Sequence, residues 1–172
     1  MKNYLMRNAF LIFLLFLFPT ALLAADWKVT RVYDGDTILV ARDRTVARKV
    51  RLVGIDAPET SSENGWPEQP YSEEAKKYLT SLVLYKTVSI ISYDLDVYNL
   101  ISGIVYWEGI NINLQMVKSG LAEVYHGQAP KGFDLAPYRD AEKQAKAAMR
   151  GMWRLGDKYI SPKEWRRMQR AK

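Results

Sequence analysis

The chain of 172 residues contains no cysteine. This excludes disulfide stapling, a thiolate nucleophile and cysteine-ligated metal, so stability must come from packing. Histidine is nearly absent too. His126 is the only one, and its place beside Gly127 favours solvent exposure over acid–base work. Beyond the first 25 residues there is no internal repeat and no low-complexity linker. Charge is missing altogether between Arg7 and Asp26.

That uncharged stretch explains the N-terminus. Lys2 and Arg7 form a short basic region, Ala9 to Phe18 is unbroken apolar sequence, and Pro19 leads to Ala24-Ala25. This is the layout of a secretory signal peptide over residues 1–25. An uncleaved membrane anchor is the alternative, although the apolar core before Pro19 is short of the ~20 residues a spanning helix needs. A secreted or periplasmic location is therefore expected. Loss of Lys2 and Arg7 lowers the formal charge from +6 to +4. The remainder, roughly 150 residues, suffices for one domain with a real core. A modest basic excess suits a polyanionic partner without identifying one.

What the chain does have is a concentration of carboxylates beside arginine. In Arg51-Leu-Val-Gly-Ile-Asp56-Ala-Pro-Glu59-Thr60 an apolar run carries a basic residue at one end and two acids at the other. The run has the length and composition of a strand, and Pro58 cannot donate a ladder hydrogen bond, so the strand should stop near Asp56. Upstream, Asp34-Gly35-Asp36-Thr37 places two more acids on a tight turn between apolar runs. Asp34 reads as the turn residue. Acid groups from two turns with an arginine beside them suit a hard cation and a phosphate.

The remaining pattern gives an α+β chain. Trp27 to Tyr33 and Thr37 to Ala41 form a hairpin, and a third strand is expected over about Val46 to Ile55. A long loop, Ser61 to Tyr71, precedes a helix capped by Ser72, with apolar positions Ala75, Tyr78, Leu79, Leu82 and Val83 on one face. Val88 to Tyr93 and Ile101 to Trp107 supply strands four and five. Asn113 is expected to cap a short helix ending at Gly120, and Tyr138, Ala141, Ala145, Ala148 and Met149 mark another, stopped by Gly151. Five strands with a helix after the third fit a small Greek-key β-barrel of OB type with about three packed helices. The end of the chain has a capping box with proline at the first helical position, Ser161-Pro162-Lys163-Glu164. Its basic residues (Lys163, Arg166, Arg167, Arg170 and Lys172) are expected to belong to a short solvated helix, with Trp165 and Met168 available to dock.

The segments Val32-Tyr-Asp-Gly-Asp-Thr37 and Arg51 to Thr60 resemble the two signature motifs of the staphylococcal nuclease (thermonuclease) family. Gly120-Leu-Ala-Glu-Val-Tyr125, Asp140-Ala-Glu-Lys-Gln-Ala-Lys146 and Gly151-Met-Trp153 resemble its later stretches. The resemblance implies a nuclease domain over 26–155 followed by a basic tail, 156–172. It implies a Ca²⁺-dependent endonuclease acting on DNA and RNA, single strands favoured, as a monomer with no stable membrane association once the leader is removed. By the same resemblance Asp36 and Asp56 would ligate Ca²⁺ directly and Ala57 through its carbonyl. Glu59 would orient or deprotonate the attacking water, and Arg51 would bind phosphate oxygens. Tyr98 matches a tyrosine at the family's nucleotide pocket, and Tyr125 is a second candidate for base or phosphate contact.

One position departs from the pattern. The family's second phosphate-binding arginine follows Tyr-Gly, whereas here the stretch is Asp96-Val-Tyr98-Asn99-Leu100. Leucine cannot stabilise a developing oxyanion, and loss of one such donor typically lowers a rate by ~10²–10³. Two readings follow: an endonuclease of reduced activity, or a non-catalytic OB-type nucleic-acid-binding module. Clustered acids repel phosphate unless a metal joins them, which favours the enzyme.

Overall fold

A computed structural model describes residues 26–42, 46–61, 66–95 and 100–171. The leader, the Arg42–Val46 turn's centre, part of the long loop and Tyr98 fall outside the described residues. Strands β1 (Trp27–Val32), β2 (Thr37–Ala41) and β3 (Ala47–Leu52) form an antiparallel meander. β3 continues through a turn into the two-residue β4 (Ile55–Asp56). Helix α1 (Ser72–Val83) follows, then β5 (Thr87–Leu95) and β6 (Leu100–Trp107). β5 pairs with β1, and β6 pairs antiparallel with β5 and parallel with β3, which closes five strands into a barrel.

A short β7 (Ile110–Asn111) leads into α2 (Ile112–Lys118); β8 (Glu123–Val124) pairs with β4. Helix α3 (Ala136–Ala147), a 3₁₀ segment over Gly151–Lys158 and α4 (Pro162–Arg170) complete the chain. The expected five-stranded barrel with helices packed on it is the architecture observed. Val29, Ile38, Val40, Val50, Leu52, Val88 and Val105 fill the barrel, and α1 covers one end with Ala75, Leu79 and Val83, all fully buried.

The third strand does not run unbroken to Ile55. Gly54 takes a left-handed φ of +80°, and a Cβ there would lie 2.4 Å from the Phe133 ring. Backbone reversal and ring packing split the apolar run, so Ile55 and Asp56 leave the barrel and pair with Val124 and Glu123.

Two caps also differ. Tyr71, with φ +72°, precedes α1 without side-chain capping, and Ser72 is buried inside the helix. Asn111 caps α2 by accepting from the Leu114 N–H at 2.9 Å. Asn113 is buried instead and ties three backbone groups together: its Oδ1 accepts from Val105 N–H, and its amide donates to the Val53 and Gly103 carbonyls. Helix α3 stops at Ala147, leaving Ala148 and Met149 exposed, because Met149 turns to φ +50°.

The tail is not a solvated helix. Ser161 caps α4 as expected, accepting from the Glu164 N–H at 3.1 Å, with Pro162 at the first position. Pro162 and Gln169 are buried, and Trp165 lines a small cavity with Gln69, Pro70 and Tyr159, while Met168 remains exposed. The Gln69 amide donates to the Ile160 carbonyl at 2.7 Å, anchoring the segment before α4 to the loop before α1.

Candidate active site

The β1–β2 turn is built by its own side chains. Asp34 Oδ1 accepts from the Asp36 N–H at 2.9 Å, and the Tyr33 N–H donates to the Thr37 carbonyl. Asp34 therefore serves as the turn residue. Gly35 lets the turn lie flat on the rest: a Cβ there would sit 2.7 Å from the Cβ atoms of both Ala57 and Ala75. Asp36 then points inward, nearly buried. Its Oδ1 accepts from Thr37 Oγ1 at 2.8 Å and its Oδ2 from the Ala57 N–H at 3.2 Å. Two turns separated by 21 residues are thus joined through one carboxylate.

Register puts the arginine beside them. Thr37 faces Arg51 across β2–β3, and Arg51 Nη2 lies 3.8 Å from Asp36 Oδ2 and 3.8 Å from Asp56 Oδ1. Asp56 is buried at the end of β4, and Glu59 follows on the loop. The Gln69 side chain accepts from the Glu59 N–H at 3.1 Å, and the Gln69 N–H donates to the Glu59 carbonyl at 2.9 Å. That pair of bonds fixes the backbone from which Glu59 projects.

Asp36, Arg51, Ala57 and Glu59 line one polar cavity of about 420 Å³, with Asp34, Lys49, Tyr125, Arg166 and Arg170. Tyr125 stands at its edge, also lining an adjoining cavity of about 260 Å³ with Arg51, Gly54 and Ser102. The structure therefore brings together Asp36, Arg51, Asp56, Ala57, Glu59 and Tyr125. Leu100 lies on β6, where it pairs in register with Lys49 while Ser102 pairs with Arg51. It therefore stands two residues along the strand from the partner of Arg51. Among nearby cations, Lys49 lines the cavity. Arg48 is engaged with the Ala47 carbonyl, and Lys86 sits over the Trp107 ring at 3.4 Å.

Sequence reasoning missed two groups. Arg166 of α4 reaches into the centre and grips Asp56 with a two-pronged contact, Nη1 to Oδ1 at 2.9 Å and Nη2 to Oδ2 at 2.7 Å, while also bonding Glu59. Only the basic character of the tail hinted at it, and nothing local links positions 110 residues apart. The second is Glu123, buried beside Asp56 in the β4–β8 pair. Its Oε2 accepts from the Tyr159 hydroxyl and lies 3.7 Å from His126 Nε2, and its Oε1 is buried without a partner among the described residues. His126 itself is exposed.

Electrostatics follow from burial. Loss of water, then repulsion from Asp34 and Asp56, raises Asp36 from 3.8 to about 7 despite Arg51. Burial likewise raises Glu59, with Arg166 opposing it, and raises Glu123, with Tyr159 opposing it. Arg51 is held further into its charged state, chiefly by Asp36. A folded-state value above the unfolded one means the native protein holds the extra proton between about pH 4 and 7. Stability contributed by Asp36 should therefore fall as pH rises through that window, and Glu59 and Glu123 act in the same sense. A divalent cation at Asp36 would remove this penalty. Thermal denaturation should accordingly show a larger stabilisation by added divalent cation at pH 8 than at pH 5; equal shifts at both would contradict this account.

Comparison with known proteins decides the family. A profile described as Staphylococcal nuclease homologue matches residues 49–155. The chain belongs to the staphylococcal nuclease family. It is similar to a probable endonuclease LCL3 of Clavispora lusitaniae, 38% identical over 81% of this chain and 71% of that protein. It is also similar to uncharacterized endonucleases of Haemophilus influenzae (35% identical, 83% of this chain, 74% of the other) and Escherichia coli (36%, 88% and 93%). As a member of this family the chain is a hydrolase acting on phosphodiester bonds. The family match ends at residue 155, before α4 begins.

Proposed function

We propose that the protein is an exported, Ca²⁺-dependent endonuclease that cleaves DNA and RNA, with single strands favoured. The observation that carries this reading is the convergence of Asp36, Asp56 and Glu59, from two turns, with Arg51 of β3. Two of those acids are nearly buried. Neither a binding module nor a folding core has use for that much confined negative charge.

The donor set fits a hard cation. Among the described residues no three acidic or histidine side chains form a ready-made cage. The two buried aspartates therefore suit an ion that completes its shell with backbone, water and substrate oxygens. Burial raises Asp36 toward neutrality, which marks a carboxylate in need of a counter-charge. Asp36 and Asp56 would hold Ca²⁺, with the Ala57 carbonyl on the same turn. The ion would supply Lewis-acid polarisation of the phosphate.

The chain's own groups do the rest. Arg51, half exposed on the cavity side, is placed to bind two non-bridging phosphate oxygens through its planar fork. Glu59, raised by burial toward the working pH, takes a proton from the attacking water. Tyr125 on the cavity wall provides a stacking surface, a mode tolerant of sequence and suited to unpaired bases, and Tyr98 is assigned the same role by the family pattern alone. Tyr125 is exposed on the cavity wall, which suits contact with an unpaired base. Asp36, Arg51, Asp56, Glu59 and Tyr125 come from one chain, which supports action as a monomer. Export rests on the leader-like residues 1–25.

The test uses the mature chain with single- and double-stranded DNA and with RNA, in Ca²⁺ and in chelator. Calcium-dependent cutting, lost in Arg51→Ala and Asp36→Ala, is the expected result. Retained binding without cutting would instead establish a nucleic-acid-binding module. N-terminal sequencing of the protein recovered outside the cytoplasm should begin near Asp26.

A further inference from the structure

We propose that Arg166 is the second phosphate-binding guanidinium of this enzyme, delivered to the active site by the C-terminal helix in place of the residue that Leu100 replaces. The inference rests on the nuclease reading above and adds a catalytic group from outside the region matched to the family.

Position is the first argument. Arg166 lines the same cavity as Arg51, Glu59 and Asp36, and its side chain is only 20% exposed. It lies between Asp56 and Glu59, bonding both, so its fork spans the stretch between metal ligand and base. Arg51 reaches Asp56 from the β3 side at 3.8 Å. A phosphate held beside Asp56 would therefore lie between two guanidiniums.

Anchorage is the second argument. Ser161 and Pro162 start α4 at a fixed point, and Gln69 holds the Ile160 carbonyl while also holding the Glu59 backbone. One buried glutamine thus sets the spacing between the loop that bears Glu59 and the helix that bears Arg166. Trp165 is half-buried at this junction, lining a small cavity with Tyr159 and Pro70. A helix secured in this way is preorganised, which is what a transition-state donor requires.

Charge is the third. Asp36, Asp56 and Glu59 with Arg51 and Ca²⁺ are neutral as a set, so the two negative charges of a phosphorane would stand uncompensated. Adding Arg166 removes half of that excess; of the other charged groups on the cavity wall, Lys49 and Arg170 reduce it further and Asp34 adds one charge to it. Arg166 is the counter-ion of Asp56 and Glu59, and were a cation to take over the charge of Asp56, N–H donors of its fork would be available to the phosphate. No bond is made or broken by Arg166: it binds charge that develops on the phosphate oxygens and stays protonated throughout.

The experiment compares wild type, Arg166→Ala, Arg166→Lys, Leu100→Arg and the double variant Leu100→Arg/Arg166→Ala. Two readouts are needed: single-turnover cleavage of a single-stranded oligonucleotide in Ca²⁺, and equilibrium binding of an uncleavable phosphorothioate oligonucleotide across a salt series. Arg166→Ala should lower the cleavage rate by ~10²–10³ and reduce the salt slope of binding by about one phosphate contact's worth. Arg166→Lys, which keeps the charge and the docked helix, should recover part of the rate but not the whole, because an ammonium cannot fork. Leu100→Arg should restore cleavage most in the Arg166→Ala background. Cleavage by Arg166→Ala as fast as or faster than wild type would overturn the proposal, the faster result making Arg166 a plug on the metal site. Failure of Leu100→Arg to rescue a folded Arg166→Ala protein would overturn it as well. Should wild type not cut at all while still binding, the nuclease reading itself falls, and this inference with it. Cutting by wild type that Arg51→Ala abolishes and Arg166→Ala leaves intact removes only the role of Arg166.

Discussion

Replacing Glu59 with glutamine is expected to slow phosphodiester cleavage by ~10²–10⁴ while leaving oligonucleotide binding nearly unchanged. The amide has the same shape, and its oxygen still accepts from Arg166. The two bonds that hold the loop involve the Glu59 backbone and Gln69, so they survive the change. Only the capacity to take a proton from water is lost. Because burial raises the Glu59 carboxyl, the wild-type rate should climb with pH through a point above the ordinary glutamate value of 4.5. The variant should lose that limb of the profile. Single-turnover kinetics at several pH values would show both effects. A drop smaller than about tenfold, or an unchanged pH limb, would remove Glu59 from the role of base.

The largest effect on stability is expected at Asn113, far from any reacting atom. Asn113→Ala would strip partners from the Val105 N–H and the Val53 carbonyl, both in the interior. The Gly103 carbonyl would keep its bond from the Val53 N–H at 2.9 Å, so two groups, not three, are orphaned. At ~1–3 kcal/mol for each buried unpaired group, the loss is about 2–6 kcal/mol, before any cavity term. Urea denaturation would measure it, and a loss under about 1 kcal/mol would mean water or a shifted side chain satisfies the groups. Activity should fall in step, because Val53 begins the turn that carries Ile55 and Asp56 away from the barrel. Asn113 thus joins β6, α2 and the site strand through one amide.

The barrel, the covering helix and the acid-bearing turns were legible in the sequence because each rests on local signals. Alternating apolar residues make strands, Asp34-Gly35 makes a hairpin turn, and Ala75, Leu79 and Val83 share a helical face. Asp36, Arg51, Asp56 and Glu59 were legible through a family pattern that keeps them in order and close spacing. Where expectation and structure parted, a distant contact overrode the local signal. The ring of Phe133 over Gly54 broke a run that reads as one strand, and the buried bonds of Asn113 drew it inward and left the cap to Asn111.

The tail shows the same division most sharply. Ser161, Pro162 and the following charges specify a capped helix, because capping and dipole effects act within one turn. They say nothing of where the helix lies. Its docking depends on Gln69 meeting Ile160 and on Trp165 reaching the small cavity it lines with Pro70 and Tyr159, an arrangement that exists only once the chain has closed on itself. The sequence alone determined the kind of elements, the acids on two turns and the family. Tertiary structure alone decided that a guanidinium from the last helix sits between Asp56 and Glu59, since burial and Coulomb attraction act through space without regard to chain separation.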